Sequence, residues 1–201
     1  LFNFVDVTKR EKANADALFH MGQRDSLTGL PNRFLLKSHL KKILNKARDE
    51  GQPFALILLN VDNFQFINET YGLSTGDLMI KNIARKLEVE ISENEFLSHL
   101  GGDSFAIIGK YTSDRQEILD RVNNILNLFW QPSTFFKDGE EMDIIIGLSA
   151  GINFYPGPDC SVDDMLLNAA IALSITKKKN PGSVTVYEPT MHAEIKSRNI
   201  L

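Results

Sequence analysis

The chain has 201 residues, and 22 Lys and Arg against 26 Asp and Glu give it a formal net charge of −4. Hydrophobic residues make up 43% and charged residues 24%, which are globular proportions and exclude a disordered chain. The single cysteine excludes an internal disulfide, and the acidic balance argues against a nucleic-acid binder. Because the apolar runs fall far short of the ~20 residues that span a bilayer, composition predicts a soluble, cytoplasmic domain without a membrane segment.

The first residues are predicted to end a preceding domain. The string LFNFVDVT alternates apolar and polar residues, as a strand does, and a disordered tail is the alternative. Residues 8–24 follow with a capping-box spacing and a thin apolar stripe. They predict a polar connector helix or a two-stranded coil.

Helices and strands then alternate. The pattern predicts a helix over 34–50, a buried strand over 54–62, a short polar helix, a loop over 71–77, a helix over 78–91, hairpin strands over 96–100 and 104–109, a helix over 113–130, strands over 131–136 and 142–153, a helix over 159–179 and a strand over 183–188. This order predicts an α/β (α+β) fold with a mostly antiparallel central sheet flanked by helices, as in ferredoxin-like palms.

Three polar segments converge in such a sheet: the end of the first strand, the Gly-Gly-Asp hairpin turn, and the loop over 72–77. Asp62 and Asp103 could then face one metal or phosphate, since Mg²⁺ prefers carboxylate oxygens. The two glycines at 101 and 102 would let a phosphate approach the backbone. A turn without a ligand is the alternative that this pattern leaves open.

Five strings carry a resemblance to a known family: DSLTGLPNR (25–33), LNVDNFQFINETYGLSTGDLMI (59–80), HLGGDSFAII (99–108), LSAGI (148–152) and NAAIALSITKKKNPGSVTVY (168–187). They resemble the GGDEF domain, the bacterial diguanylate cyclase family. The resemblance implies a palm-type nucleotidyl cyclase fold that condenses two GTP into cyclic di-GMP. It also implies Mg²⁺ or Mn²⁺ with the GTP, and a homodimer in which each domain presents one nucleotide.

Several positions that carry charge in the family are neutral here. The resemblance makes Asp103 both the retained metal ligand and the catalytic residue. It also implies two further metal ligands, the backbone of Val61 and the side chain of Asn60, which is a weaker ligand than the expected aspartate. Ser104 replaces the glutamate of the signature, and Gln65 replaces a phosphate-contacting lysine. A serine hydroxyl is too weakly acidic to act as a carboxylate base near pH 7. A poor cyclase, or none, is therefore expected.

The nucleotide-binding positions are better preserved. The resemblance assigns guanine to Asn68 and Asp77, and phosphate to the backbone of Asn63 and Phe64, to the glycine turn and to Lys177. The alternatives are that Asn68 and Asp77 cap a turn and a helix, and that Lys177 belongs to a solvated helix end.

Other family groups are missing. Pro181 replaces an arginine, and 92–95 lacks the arginine of an inhibitory product site, so no such site is expected. His99 also replaces an arginine, with a structural or a functional role left open.

The flanks suggest a larger protein. Residues 1–24 resemble the end of a PAS-like domain plus a connector, 25–188 the GGDEF domain, and 189–201 a connector toward an EAL-like phosphodiesterase domain. The leading hypothesis is a catalytically impaired, GTP-binding module that regulates a linked phosphodiesterase. The alternatives are a weak diguanylate cyclase and a dimerisation scaffold that binds no nucleotide.

Overall fold

The computed structural model describes residues 22–110, 114–137, 140–157 and 159–192. Within these ranges the elements follow one another in the order α1 (Arg33–Glu50), β1 (Phe54–Val61), α2 (Phe64–Tyr71), α3 (Leu73–Glu90), β2 (Glu95–Gly101), β3 (Ser104–Lys110), α4 (Arg115–Asn127), β4 (Ser133–Lys137), β5 (Glu140–Ile144), β6 (Leu148–Phe154), α5 (Val162–Lys179) and β7 (Val184–Val186). None of the described helices combines the length and the apolar character that crossing a membrane requires.

Strand β1 is the middle strand of a five-stranded sheet with the order β2-β3-β1-β6-β7. It pairs antiparallel with β3 on one edge and with β6 on the other, and only β7 runs parallel to its neighbour β6. Strands β4 and β5 form a separate two-stranded sheet. The expected palm-like, mostly antiparallel sheet is therefore confirmed.

Both faces of β1 are covered, because all eight of its residues are buried. Side chains alternate between the faces of a strand. One set packs with α3 and α4, and it includes Ile57 and Leu59. The other set, which includes Leu56 and Leu58, packs with α1 and α5. The continuous apolar run of β1 thus has the cause that the sequence suggested, a layer of helices on each side.

Two predicted boundaries are wrong. The loop expected over 71–77 is mostly helix, because α2 and α3 are separated by a single residue, Gly72. Its amide donates to the carbonyl of Asn68 at 2.9 Å, and its carbonyl accepts the amides of Thr75 and Gly76 at 3.2 Å. The single strand expected over 142–153 is two strands, because β5 pairs with β4 whereas β6 pairs with β1.

The N-terminal expectations are only partly testable. The predicted first strand and most of the connector helix lie outside the described residues. For its last three residues the helix prediction is wrong, since Gly22 and Gln23 form a turn and Arg24 makes a β-bridge with Pro31. Asn32 then caps α1 by accepting the amides of residues 34 and 35.

Gly151 in β6 provides a test of the packing between sheet and helix. A Cβ there would lie 2.3 Å from the nitrogen of Leu173 and 2.4 Å from the carbonyl oxygen of Ala169, both in the backbone of α5. We expect Gly151→Ala to lower the free energy of unfolding by about 2 kcal/mol, because overpacking typically costs about 1–3 kcal/mol. Urea unfolding would measure it as a lower midpoint.

The matched control is Gly109→Ala in β3, where the nearest neighbour of an added Cβ is the Ile118 side chain at 3.4 Å. We expect that variant to unfold within about 1 kcal/mol of the unaltered chain, because the added Cβ would make only an ordinary van der Waals contact and Gly→Ala changes at compatible positions are worth about 0.4–1 kcal/mol. Equal midpoints for the two variants would contradict the close approach of α5 to β6.

Candidate functional site

The register of β1 places polar residues side by side where the strand ends. Asn60 is paired with Ser104 of β3 on one edge and with Ser149 of β6 on the other. The next residue, Val61, donates its amide to the carbonyl of Asp103 at 3.0 Å. The end of β1 and the glycine turn between β2 and β3 therefore adjoin each other, as the sequence predicted.

A continuous chain of hydrogen bonds crosses this end of the sheet. Lys177 on the last turn of α5 donates through Nζ to Asn60 Oδ1. Asn60 Nδ2 donates to Ser104 Oγ at 2.9 Å, and Ser104 Oγ donates to Asp103 Oδ1 at 3.3 Å. This series of hydrogen bonds thus begins on an ammonium group and ends on a carboxylate, with a neutral amide and a neutral hydroxyl between them.

The turn that holds Asp103 depends on its two glycines. Gly101 and Gly102 have φ angles of 98° and 60°, in the left-handed region that L side chains rarely adopt. A Cβ at either position would meet no atom within 4 Å. The turn therefore requires glycine for its backbone conformation, and the space beside the two residues is open to a ligand.

Asp62 and Asp103 make their contacts on different edges of β1. Its Oδ1 accepts a hydrogen bond from Ser149 Oγ at 2.6 Å, and Ser149 Oγ in turn accepts the amide of Gly182 at 3.0 Å. Its Oδ2 would lie 2.9 Å from a Cβ on Gly147, just before β6. The carboxylate of Asp62 is therefore held on the β6 side of β1, whereas that of Asp103 contacts Ser104 of β3, which speaks against the expectation of one metal between the two aspartates.

Asn68 and Asp77 lie on the two helices that meet at Gly72. Asn68 Oδ1 is buried and accepts no hydrogen bond from the described residues, which is uncommon for a buried acceptor. A Cβ on Gly76 would lie 1.9 Å from that oxygen, so only glycine admits the asparagine. Asp77 is exposed within α3. It does not cap that helix, because α3 already begins at Leu73.

The first turn of α2 lies directly after β1. Asn63 is its N-cap residue, with φ of 54° and no hydrogen bond from its side chain to the helix. The amides at a helix N-terminus lack partners within the helix and are suited to anions. Gln65 lies along the exposed side of α2, where its Nε2 donates to Glu69 Oε1 at 2.8 Å.

His99 is a structural residue that the sequence left undecided. It is buried, and its Nδ1 lies 2.9 Å from Asp25 Oδ1 while its Nε2 lies 3.1 Å from the carbonyl oxygen of Gly102. Its amide also donates to the carbonyl of Pro31 at 2.9 Å. The imidazole therefore joins the turn at 25–33 to the glycine turn.

Asp25 is a second residue whose importance sequence reasoning missed. Its Oδ1 accepts hydrogen bonds from the amides of Leu27 and Thr28 and from the Thr28 hydroxyl. Burial acts to raise the pKa of Asp25, but the hydrogen bonds from Thr28 and His99 outweigh burial and hold that pKa below its ordinary value. The spacing Asp-x-x-Thr in a turn is the only signal that could have indicated these bonds.

The region expected to lack a product site forms a turn before β2. Ser92 donates its amide to Glu95 Oε2 at 2.9 Å, and Glu95 donates its amide to the carbonyl of Ser92 at 3.0 Å. Glu95 also pairs with Arg121 of α4 at 3.2 Å. The absence of an inhibitory site stays a prediction.

Comparisons with known proteins agree with this fold. The family model described as "Diguanylate cyclase, GGDEF domain" matches residues 22–182. The chain belongs to the GGDEF family. It is therefore a GGDEF domain of cyclic di-GMP signalling, and the resemblance drawn from its motifs is confirmed.

Two relatives and one solved structure illustrate the match. The bifunctional diguanylate cyclase/cyclic di-GMP phosphodiesterase MucR of Pseudomonas aeruginosa is 26% identical over 94% of this chain and 27% of its own length. The diguanylate cyclase TpbB of the same species is 29% identical over 83% of this chain and 38% of its own. A structure of the TpbB GGDEF domain alone matches with a TM-score of 0.79 at 27% identity, over 86% of this chain and 99% of that one. Most of MucR and of TpbB thus lies outside the matched region.

GGDEF cyclases generally use a divalent metal with GTP, so the donor atoms of this chain can be tested against one. Mg²⁺ requires near-octahedral oxygen coordination and is usually held by one or two carboxylates plus phosphates. Of the expected ligands only Asp103 is charged, and Asn60 Oδ1 already accepts the Lys177 ammonium. No three His, Cys, Asp or Glu side chains within the described ranges could together hold a metal. With a single carboxylate, and with the Lys177 ammonium on Asn60 Oδ1 where a second ligand is expected, the residues present do not fit a divalent cation.

The contacts of Asp25 predict a pH-dependent stability. Because its pKa is lowered in the folded chain, the ionised carboxylate stabilises the fold at neutral pH, and this contribution is lost as the pH falls through the folded-state pKa. We expect Asp25→Asn to lower the free energy of unfolding at pH 7 by about 1–2 kcal/mol, since hydrogen bonds to a charged group are worth about 1.5–3 kcal/mol and the amide keeps part of them.

Denaturant unfolding between pH 3 and pH 7 would measure this effect. The difference between the variant and the unaltered chain should shrink below about pH 4, near the ordinary pKa of aspartate. Asp49→Asn, at an exposed position of α1, is the control and should behave like the unaltered chain. A difference for Asp25→Asn that stays constant over this range would contradict the role of its charge.

Proposed function

We propose that this chain is a catalytically impaired GGDEF domain that binds GTP and acts as a regulatory module. One observation carries the proposal: the hydrogen-bond chain from Lys177 through Asn60 and Ser104 to Asp103. These hydrogen bonds lie where a cyclase needs carboxylates, and Asp103 is the single carboxylate among the four residues that make them.

Catalytic impairment follows from the chemistry of the two neutral residues. Joining two nucleotides requires a ribose hydroxyl to lose its proton while charge develops on a phosphate, and both demands are met by charged groups. Ser104 has no carboxylate with which to accept that proton, and its hydroxyl proton is already directed at Asp103. Asn60 likewise supplies no negative charge. Binding can persist without these groups, because it depends on other residues.

Guanine recognition is proposed for Asn68 and Asp77. The Watson–Crick edge of guanine offers an N1–H and an N2–H₂ donor beside the O6 acceptor. A carboxylate at the exposed Asp77 can accept both N–H donors, and the Asn68 amide can serve as donor or acceptor. Adenine has an acceptor at N1, which would face the Asp77 carboxylate unfavourably. The unpartnered Asn68 Oδ1 supports this proposal, because a ligand donor would satisfy it.

Phosphate binding is proposed for backbone groups and one side chain. The amides of Asn63 and Phe64 begin α2, and Gly101 and Gly102 leave open space beside the turn. Lys177 contributes a positive charge at the same end of β1. The modest net charge of the whole chain is compatible with an anionic ligand, because these donors are local.

The regulatory role is proposed from the relatives. MucR joins both activities of cyclic di-GMP turnover in one protein, and this chain matches 27% of its length. We propose that residues 25–188 act as the GGDEF domain of such a protein, between a PAS-like domain with a connector (1–24) and a connector (189–201) to an EAL-like phosphodiesterase. GTP binding would then modulate the phosphodiesterase within a homodimer.

Isothermal titration calorimetry tests the binding. We expect GTP to bind at least about tenfold more tightly than ATP, because a mismatch of buried hydrogen-bonding groups costs about 1–3 kcal/mol.

Asp77→Ala should weaken GTP binding by about tenfold or more for the same reason. Glu88→Ala, which removes the same charge from an exposed position of the same helix, is the control and should not change the affinity. No heat with GTP at high protein concentration would favour the scaffold alternative.

A double reversion tests the impairment. We expect the unaltered chain to form no cyclic di-GMP from GTP with Mg²⁺ or Mn²⁺, and Asn60→Asp with Ser104→Glu to restore product, since both substitutions return charge to the site. Chromatography of the reaction mixture with mass detection would measure it, and circular dichroism would confirm that each variant is folded. Adding Asp103→Ala to the double variant should abolish the product. Equal product from the unaltered chain would instead favour a weak cyclase.

A further inference from the structure

The positive charge at this end of β1 is the side-chain ammonium group of Lys177, and the fold holds it in place. Lys177 and Asn60 are 117 positions apart in the sequence, yet Lys177 Nζ donates to Asn60 Oδ1. The Asn60 amide has a defined orientation, because its Nδ2 donates to Ser104 Oγ at 2.9 Å and so leaves Oδ1 for the ammonium. Asn60 is buried, at 8% exposure. It therefore acts as a positioning residue for Lys177.

The charges along this hydrogen-bond chain are balanced. The ammonium of Lys177 lies at one end and the carboxylate of Asp103 at the other, and the groups between them are neutral. A divalent cation that approached Asn60 Oδ1 would have to displace the ammonium from it. It would then find one carboxylate, with the displaced positive charge still nearby. The arrangement therefore disfavours a dication where it favours the lysine.

We propose that this chain binds a nucleoside triphosphate without a divalent metal, with the Lys177 ammonium taking the place of the metal beside the phosphates. The inference rests on the GTP binding proposed above. A triphosphate needs a nearby positive charge, and an ammonium group has three N–H donors. Asn60 accepts one of them, which leaves two for phosphate oxygens.

Calorimetry of the 201-residue chain with GTP, in a buffer containing Mg²⁺ and in one containing EDTA, tests the proposal. A ligand that is not coupled to a metal has the same affinity in both buffers. We therefore expect dissociation constants that agree within about threefold for the unaltered chain. For Asn60→Asp with Ser104→Glu, which restores two carboxylates, we expect Mg²⁺ to tighten binding by about tenfold or more.

A lysine substitution tests the replacement itself. Lys177→Met removes the ammonium and keeps an unbranched apolar stem, and it should weaken GTP binding in EDTA by about tenfold or more, since hydrogen bonds between charged groups are the strong ones. Lys178→Met removes the same charge one position along the same helix. It is the matched control and should change the affinity by less than about threefold.

The outcomes separate this inference from the proposed function. Binding that weakens tenfold or more when Mg²⁺ is chelated would overturn the inference and leave GTP binding intact. Equal losses for Lys177→Met and Lys178→Met would also overturn it, because they would show a general effect of charge. No binding of GTP in either buffer would refute the proposed function, and the inference with it.

Discussion

The hydrogen bonding of β1 on both edges is the constraint on which the site depends. The strand lies between β3 and β6, so its register decides which side chains meet at its end. Asn60 lies opposite Ser104 on one side, whereas Asp62 is bound by Ser149 on the other. A one-residue slip would turn every side chain of β1 to the other face of the sheet. The register of β1 therefore fixes the polar site as well as the packing of the core.

The site is supported from outside the sheet at two places. His99 joins the turn that begins at Asp25 to the carbonyl of Gly102, and so braces the glycine turn that carries Asp103. On the other side of β1, the last turn of α5 brings Lys177 to Asn60, and the close contact of α5 with Gly151 holds that helix on β6. Residues far apart in the sequence thus set the charge at one point.

Much of this could be predicted from the sequence, because the informative signals are local. The apolar run of β1 predicted a strand covered on both faces, and the Gly-Gly-Asp turn predicted the hairpin. The neutral residues Asn60 and Ser104 could be recognised from the family motifs. The residues around Gly72 predict a loop, whereas in the structure a single glycine separates the two helices, so the start of α3 is not visible in the sequence pattern.

Other features could not be predicted because they are long-range contacts. The hydrogen bonds from Lys177 to Asn60 and from Ser149 to Asp62 join residues 117 and 87 positions apart. Patterns of residue spacing within single helices and strands do not predict contacts between such distant residues. Asp62 was expected to face Asp103 because both follow strand ends, but the backbone turns its carboxylate toward β6. The net charge of −4 likewise says nothing about the balanced pair of charges at the end of β1.

A crystal structure of the chain with a non-hydrolysable GTP analogue, grown with Mn²⁺, would show whether Lys177 or a metal lies beside the phosphates. Mn²⁺ can be located by its anomalous scattering, whereas the lysine contacts are read from the electron density. We expect Lys177 Nζ within hydrogen-bonding distance of the phosphate oxygens and no manganese beside Asp103. A manganese ion bound between Asp103 and the phosphates, with Lys177 displaced from Asn60, would contradict it.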